Sequence, residues 1–173
     1  MIIALEGPDR CGKTTLFNAL KKELRDTAFV PSLPYGKELL PVMQYMEARA
    51  EALWRALYDP SRVYVCDRCF AFSNVVYGAL YGREQLCDVS GWLPELRILY
   101  IDVPLKELER RYAEVGDDMF DAARYKDVLN LYEKFLPEYE HVRLDGTSNE
   151  LVRNAVEAVV CWRSCSWNTA DAG

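Results

Sequence analysis

The run Met1-Ile-Ile-Ala-Leu-Glu-Gly7-Pro-Asp-Arg-Cys-Gly12-Lys13-Thr14 decides the fold. Residues 1–5 are apolar without alternation, the pattern of a strand buried on both faces. GPDRCGKT follows in the frame G-x-x-x-x-G-K-[ST], and beyond it Leu16, Ala19, Leu20 and Leu24 fall on one face of a helix. A strand, a glycine-framed loop and a helix in that order make a cradle for phosphate. The glycines admit close approach, successive backbone N–H groups point inward, and the helix N-terminus adds its positive end. Gly7, Pro8, Asp9, Arg10, Cys11, Gly12, Lys13, Thr14 and Thr15 are therefore expected to hold ATP, with Lys13 on the β- and γ-phosphates and the Thr14 hydroxyl placed for Mg2+. The competing reading is a glycine turn with an incidental lysine; the strand before it and the helix after it weigh against that.

Outward from this loop, apolar runs at 28–31, 62–66, 97–103 and 142–144 read as further strands. Segments of helical period lie between and after them at 39–57, 75–81, 105–112, 122–136 and 150–162, with a turn-rich loop at 87–94. Alternation of this kind predicts an α/β fold of the P-loop NTPase type, a parallel five-stranded sheet covered by helices on both faces. The expected organisation is one domain over 1–162, with a short lid near 114–121 and a frayed tail at 163–173. A second oxygen ligand for Mg2+ is expected at the end of a neighbouring strand, where Asp67 follows Val-Tyr-Val-Cys66. Asp102 also ends a strand, but Val103-Pro104 after it reads as an ordinary strand-to-helix turn.

The chain has 173 residues, half of them apolar, and carries a net charge of −6. That balance argues against nonspecific affinity for nucleic acid or acidic membranes. No apolar run approaches the ~18 residues of a membrane span, so a cytoplasmic protein with no membrane partner is expected. Cys11, Cys66, Cys69, Cys87, Cys161 and Cys165 show no compact framework spacing and read as reduced thiols. A zinc site from Cys66, Cys69, Cys161 and Cys165 is disfavoured, because Cys66 ends an apolar strand and no knuckle glycine follows.

Several segments together resemble the thymidylate kinase family of nucleoside monophosphate kinases. Leu5-Glu-Gly-Pro-Asp-Arg-Cys-Gly-Lys-Thr-Thr15 is similar to that family's phosphate loop in its arginine-bearing form. Tyr45-Met-Glu-Ala-Arg49 resembles its acceptor helix, and Asp67-Arg68 with Ala71-Phe-Ser73 and Tyr77 its D-R-x-x-x-S signature. Leu99-Tyr-Ile-Asp-Val-Pro-Leu with Arg110-Arg111 is similar to its fourth strand and following helix, and 117–135 to its lid and next helix. The resemblance spans the chain to about residue 160. It implies that Asp9 meets the acceptor, that Arg10 acts as an arginine finger supplied from within the loop, and that Arg111 lies along the adenine of ATP. It also implies that Tyr45, Arg49, Arg68, Phe72 and Ser73 hold the acceptor, and that relatives commonly form homodimers. The physics of phosphoryl transfer agrees for Arg10, since cations near the equatorial oxygens carry much of the catalysis. The competing reading is a solvated Arg10 paired with Asp9.

Three departures bear on the acceptor. Ser73 stands six residues after Asp67 rather than five, which turns the side chains that follow by ~100° on a helix. Ala52 replaces a family histidine, and the acidic lid has Met119 where an arginine is usual. A thymidylate-like monophosphate is the first expectation. The alternative is a phage-type relative that phosphorylates the hydroxymethyl group of hydroxymethyl-deoxyuridine in DNA, with Tyr45 or Phe72 holding the extruded base. A deoxynucleoside kinase and a non-catalytic nucleotide switch are further readings; Arg10, Arg49 and Arg68 count against the switch, and the lack of an N-K-x-D segment counts against a GTPase.

Overall fold

A computed structural model describes residues 1–31, 62–82, 96–115 and 122–167. Strand β1, Ile2–Glu6, is buried along its whole length. It lies at the centre of a five-stranded, wholly parallel sheet with β2 (Thr27–Val30), β3 (Val63–Asp67), β4 (Leu96–Asp102) and β5 (Glu140–Asp145), in the order β2-β3-β1-β4-β5. The expected α/β architecture is the one observed.

Alternation along β1 explains the two layers of helix. Ile3 and Leu5 point to one face and pack with Leu16 and Leu20 of α1 (Lys13–Glu23) and Ala155 and Val159 of α5 (Leu151–Trp167). Ile2 and Ala4 point to the other, where they meet Phe72 and Val76 of α2 (Phe70–Leu80) and Val128 and Tyr132 of α4 (Tyr125–Phe135). Helix α3, Leu105–Val115, follows β4 after Pro104. Lys21 and Lys22 in the last turn of α1 oppose the negative end of its dipole.

Several boundaries differ from expectation. Helix α2 starts at Phe70 rather than Val75, because its first turn is fixed from a distance: the Cys69 N–H donates to Glu6 Oε1 at 2.8 Å. Helix α5 runs on to Trp167 instead of fraying after 162; Trp162 is buried and Arg163 donates to the Arg25 carbonyl at 3.2 Å. The expected helix 122–136 is a short 3-10 turn, Ala122–Arg124, followed by α4. The expected helix 39–57 and loop 87–94 lie outside the described residues, as does 116–121 of the expected lid.

Candidate functional site

The carboxyl ends of β1, β3 and β4 open on one edge of the sheet, and the loop from Gly7 to Gly12 joins β1 to α1 there. This edge is where open parallel sheets place their ligands. Gly7 has φ 145°, and a Cβ there would lie 2.7 Å from Cys11 Sγ and 2.9 Å from the Ile101 carbonyl. The loop thus closes over its own cysteine, which is fully buried. Arg10 takes a left-handed backbone, φ 65°, and the Cys11 N–H donates to the Pro8 carbonyl at 3.4 Å, which turns the loop tightly. A cleft of about 530 Å³ results, lined by Asp9, Arg10, Gly12, Lys13, Thr14, Thr15, Asp67, Arg68 and Arg111 among others.

Lys13 is nearly buried, and its ammonium folds back on the loop. Nζ donates to the carbonyls of Gly7 at 2.9 Å and Pro8 at 2.6 Å. Across the cleft mouth the Thr14 hydroxyl donates to Asp67 Oδ2 at 2.9 Å. The two residues expected to serve a metal thus stand side by side.

Arg68 also has a left-handed backbone, φ 66°, and its side chain is tied on several sides. Nη2 donates to Asp9 Oδ1 at 2.5 Å, Nη1 to the Tyr132 hydroxyl at 3.4 Å, and Glu6 Oε2 lies 3.9 Å away. Its guanidinium carbon sits 5.3 Å from the Tyr77 ring centroid. Burial acts to raise the Asp9 carboxyl, but the charges of Arg68 and Lys13 outweigh it and hold the group below its ordinary range.

Behind this couple lies Glu6, fully buried. It receives the Cys69 N–H, the Ser73 hydroxyl at 3.1 Å and the Tyr132 hydroxyl at 3.1 Å. Ser73 is therefore spent on Glu6 and is 2% exposed. Phe72 is fully buried, packed edge-on against Tyr139 with ring centroids 5.0 Å apart. Neither residue presents surface to an acceptor, which corrects the expectation for both: Phe72 packs on Tyr139 and Ser73 on Glu6.

Arg111, expected along the adenine of ATP, lines the cleft, and its N–H groups act as a bracket. Nη1 donates to the carbonyls of Arg10 and Cys11 at 3.2 and 3.3 Å, Nη2 to that of Gly146 at 3.1 Å, and Nε to Glu107 at 2.8 Å. It joins the phosphate loop to the turn after β5. Tyr45 and Arg49 lie outside the described residues. Sequence reasoning passed over Glu6 and Tyr132. Glu6 precedes the glycine frame rather than falling within it, and Tyr132 sits at ordinary helical spacing, so no motif singles out either.

No family model matches the chain. A probable thymidylate kinase 1 of Saccharolobus solfataricus is 24% identical over 185 residues, which cover 91% of this chain and 96% of that protein. Among solved structures, a deoxyadenosine kinase of M. mycoides with bound dATP superposes with TM-score 0.66 at 16% identity, covering 92% of this chain and 97% of that one. The YorR protein of Bacillus subtilis, in complex with phosphorylated GDP, gives TM-score 0.62 at 20% identity over 92% and 95% of the two chains. The chain has the α/β P-loop NTPase fold that these structures share.

Proposed function

We propose that this protein is a phosphotransferase that moves the γ-phosphoryl group of ATP to a thymidylate-like deoxynucleotide. The observation that carries the reading is the Arg68–Asp9 pair, 2.5 Å apart, facing a phosphate cradle whose other wall is the Thr14–Asp67 pair. A donor triphosphate would lie in the loop with its phosphates on the α1 N-terminus. Lys13 would then leave the Gly7 and Pro8 carbonyls for phosphate oxygens, and Arg10 would face the migrating group.

The state of Asp9 supports a phosphate acceptor over a hydroxyl. A general base works best with a pKa near the operating pH, and Asp9 is held below even its ordinary value. An acceptor phosphate oxygen is already ionised and requires no base; Asp9 then serves to orient Arg68 and the acceptor sugar. Thr14 and Asp67 offer hard oxygens suited to Mg2+, which when bound would neutralise charge between the donor phosphates. The similarity to a thymidylate kinase supports the same acceptor class, and the resemblance of the loop and Asp-Arg block adds to it.

The experiment offers labelled ATP with dTMP, with deoxynucleosides, and with DNA containing hydroxymethyluracil. Label on dTMP is expected. Label confined to DNA would replace this reading by the DNA-modifying alternative, label confined to nucleosides would make the protein a nucleoside kinase, and no transfer to any acceptor would leave only a nucleotide-binding protein.

A further inference from the structure

The Gly7 carbonyl, the first acceptor of the phosphate loop, is reached by two donors among the described residues. One is Lys13 Nζ at 2.9 Å, the other the Tyr132 hydroxyl at 3.1 Å. Any nucleotide that draws Lys13 on to its phosphates removes the first. The bonds to this carbonyl are buried, and a buried carbonyl stripped of its donor is costly.

The Tyr132 hydroxyl has one proton and two acceptors at equal range, Gly7 O and Glu6 Oε2, each at 3.1 Å. The ring is immobilised, fully buried against Tyr100 and Phe72 with centroids 5.1 and 5.8 Å away, so the O–H rotor is the freedom left to it. Burial and the nearby Glu6 carboxylate keep the phenol protonated, so it remains a donor. Glu6 can release this proton because it keeps the Cys69 N–H at 2.8 Å, the Ser73 hydroxyl at 3.1 Å and the Arg68 guanidinium at 3.9 Å.

We infer that Tyr132 is a positioning residue for the donor nucleotide. Its hydroxyl points to Glu6 while Lys13 occupies the Gly7 carbonyl, and turns to that carbonyl when Lys13 moves on to phosphate. The rotation makes the empty and loaded loops closer in energy than Lys13 alone would allow. It rests on the reading that this loop binds a nucleoside triphosphate, and it assigns a role in binding to helix α4, which contributes no residue to the cleft lining described above.

The test is equilibrium titration of the full-length protein with a non-hydrolysable ATP analogue and Mg2+, beside urea unfolding of the same variants. Tyr132→Phe is expected to weaken analogue binding roughly tenfold, the scale of one buried hydrogen bond. Its effect is expected to vanish in a Lys13→Ala background, where no ammonium departs from Gly7 O; a purely structural tyrosine would lower affinity equally in both backgrounds. Ser73→Ala gives a second reading if Tyr132→Phe folds poorly. With Glu6 short of one donor, the Tyr132 proton is held there more strongly, and analogue binding should weaken about threefold. Wild-type affinity in both Tyr132→Phe and Ser73→Ala, or equal losses with and without Lys13, would overturn the inference. A wild-type protein that does not bind the analogue would instead overturn the functional reading beneath it.

Discussion

Replacing Arg68 by methionine removes one cation from four partners at once, Asp9, Glu6, Tyr132 and the Tyr77 ring. The arginine side chain is 12% exposed, that of Glu6 0% and that of Asp9 34%. Breaking a buried pair by deleting one member costs about 3–5 kcal/mol, because the remaining charge is left uncompensated. The lower end applies, since Glu6 keeps donors from Cys69, Ser73 and Tyr132 and the exposed side of Asp9 is screened by water. Loss of the contact with Tyr77 adds about 0.5–1 kcal/mol. R68M is therefore expected to lower the unfolding free energy by about 3.5–4 kcal/mol near neutral pH, a large part of a small domain's ~5–15 kcal/mol.

The pH dependence separates Asp9 from generic damage. Its folded carboxyl is depressed relative to the ordinary value of 3.8, so its contribution to stability is present above that value and is lost as pH falls through the folded pKa. Without Arg68 the largest lowering cause is gone and the depression shrinks, which removes most of the contribution. The gap between wild type and R68M should then hold down to the ordinary value of 3.8 and narrow as the pH falls below it through the folded pKa. Urea denaturation across that range is the assay. A gap below about 1 kcal/mol at neutral pH, or one that stays constant into acid, would refute the account of Arg68 as the strut of this site.

Three further outcomes are expected. On the proposed function, in which the Arg10 side chain faces the migrating phosphoryl group, Arg10→Met should lower turnover by about 10³-fold or more while changing nucleotide affinity far less, as steady-state kinetics and titration would show. Thr14→Val deletes the hydroxyl that donates to Asp67 at 2.9 Å and should raise the Mg2+ concentration for half-maximal turnover by about 10-fold or more. Gly146→Ala would set a Cβ 2.4 Å from Val103 Cγ2 and 2.7 Å from Ile101 Cγ2. Thermal melting should show a loss of about 1–3 kcal/mol, and Arg111 should lose its seat on the Gly146 carbonyl.

What the sequence disclosed follows from which signals are local. Ile2–Glu6, the glycine frame and the Leu16–Leu20 spacing each specify a backbone conformation within a few residues, so the cradle and its place in the fold were readable. Asp67 was readable because its strand ends in a polar residue beside the loop. Helix α2 was seen only in part: it is apolar on almost every side, and Cys69 gives no side-chain cap to mark its start. The Glu6 network was hidden because its donors, Cys69, Ser73 and Tyr132, are distant in the chain and meet only when α2 and α4 pack side by side on one face of the sheet. Phe72 and Ser73 were misplaced for a related reason. Spacing along a helix fixes relative direction, but which way the whole helix is turned is set by what it packs against, here Tyr132, Tyr139 and Glu6.

The central position of β1 has a consequence for how the chain is made. Ile2 pairs with Tyr64 on one side and with Leu96 on the other, so during synthesis β1 waits for both neighbours. At synthesis rates of ~5–20 residues per second that delay lasts seconds, during which the loop hangs from an unpaired strand. Pairings so distant along the chain also slow refolding of the released protein. Nascent chains stalled before β4 emerges should fail to capture nucleotide, and competence should appear abruptly once that strand can dock.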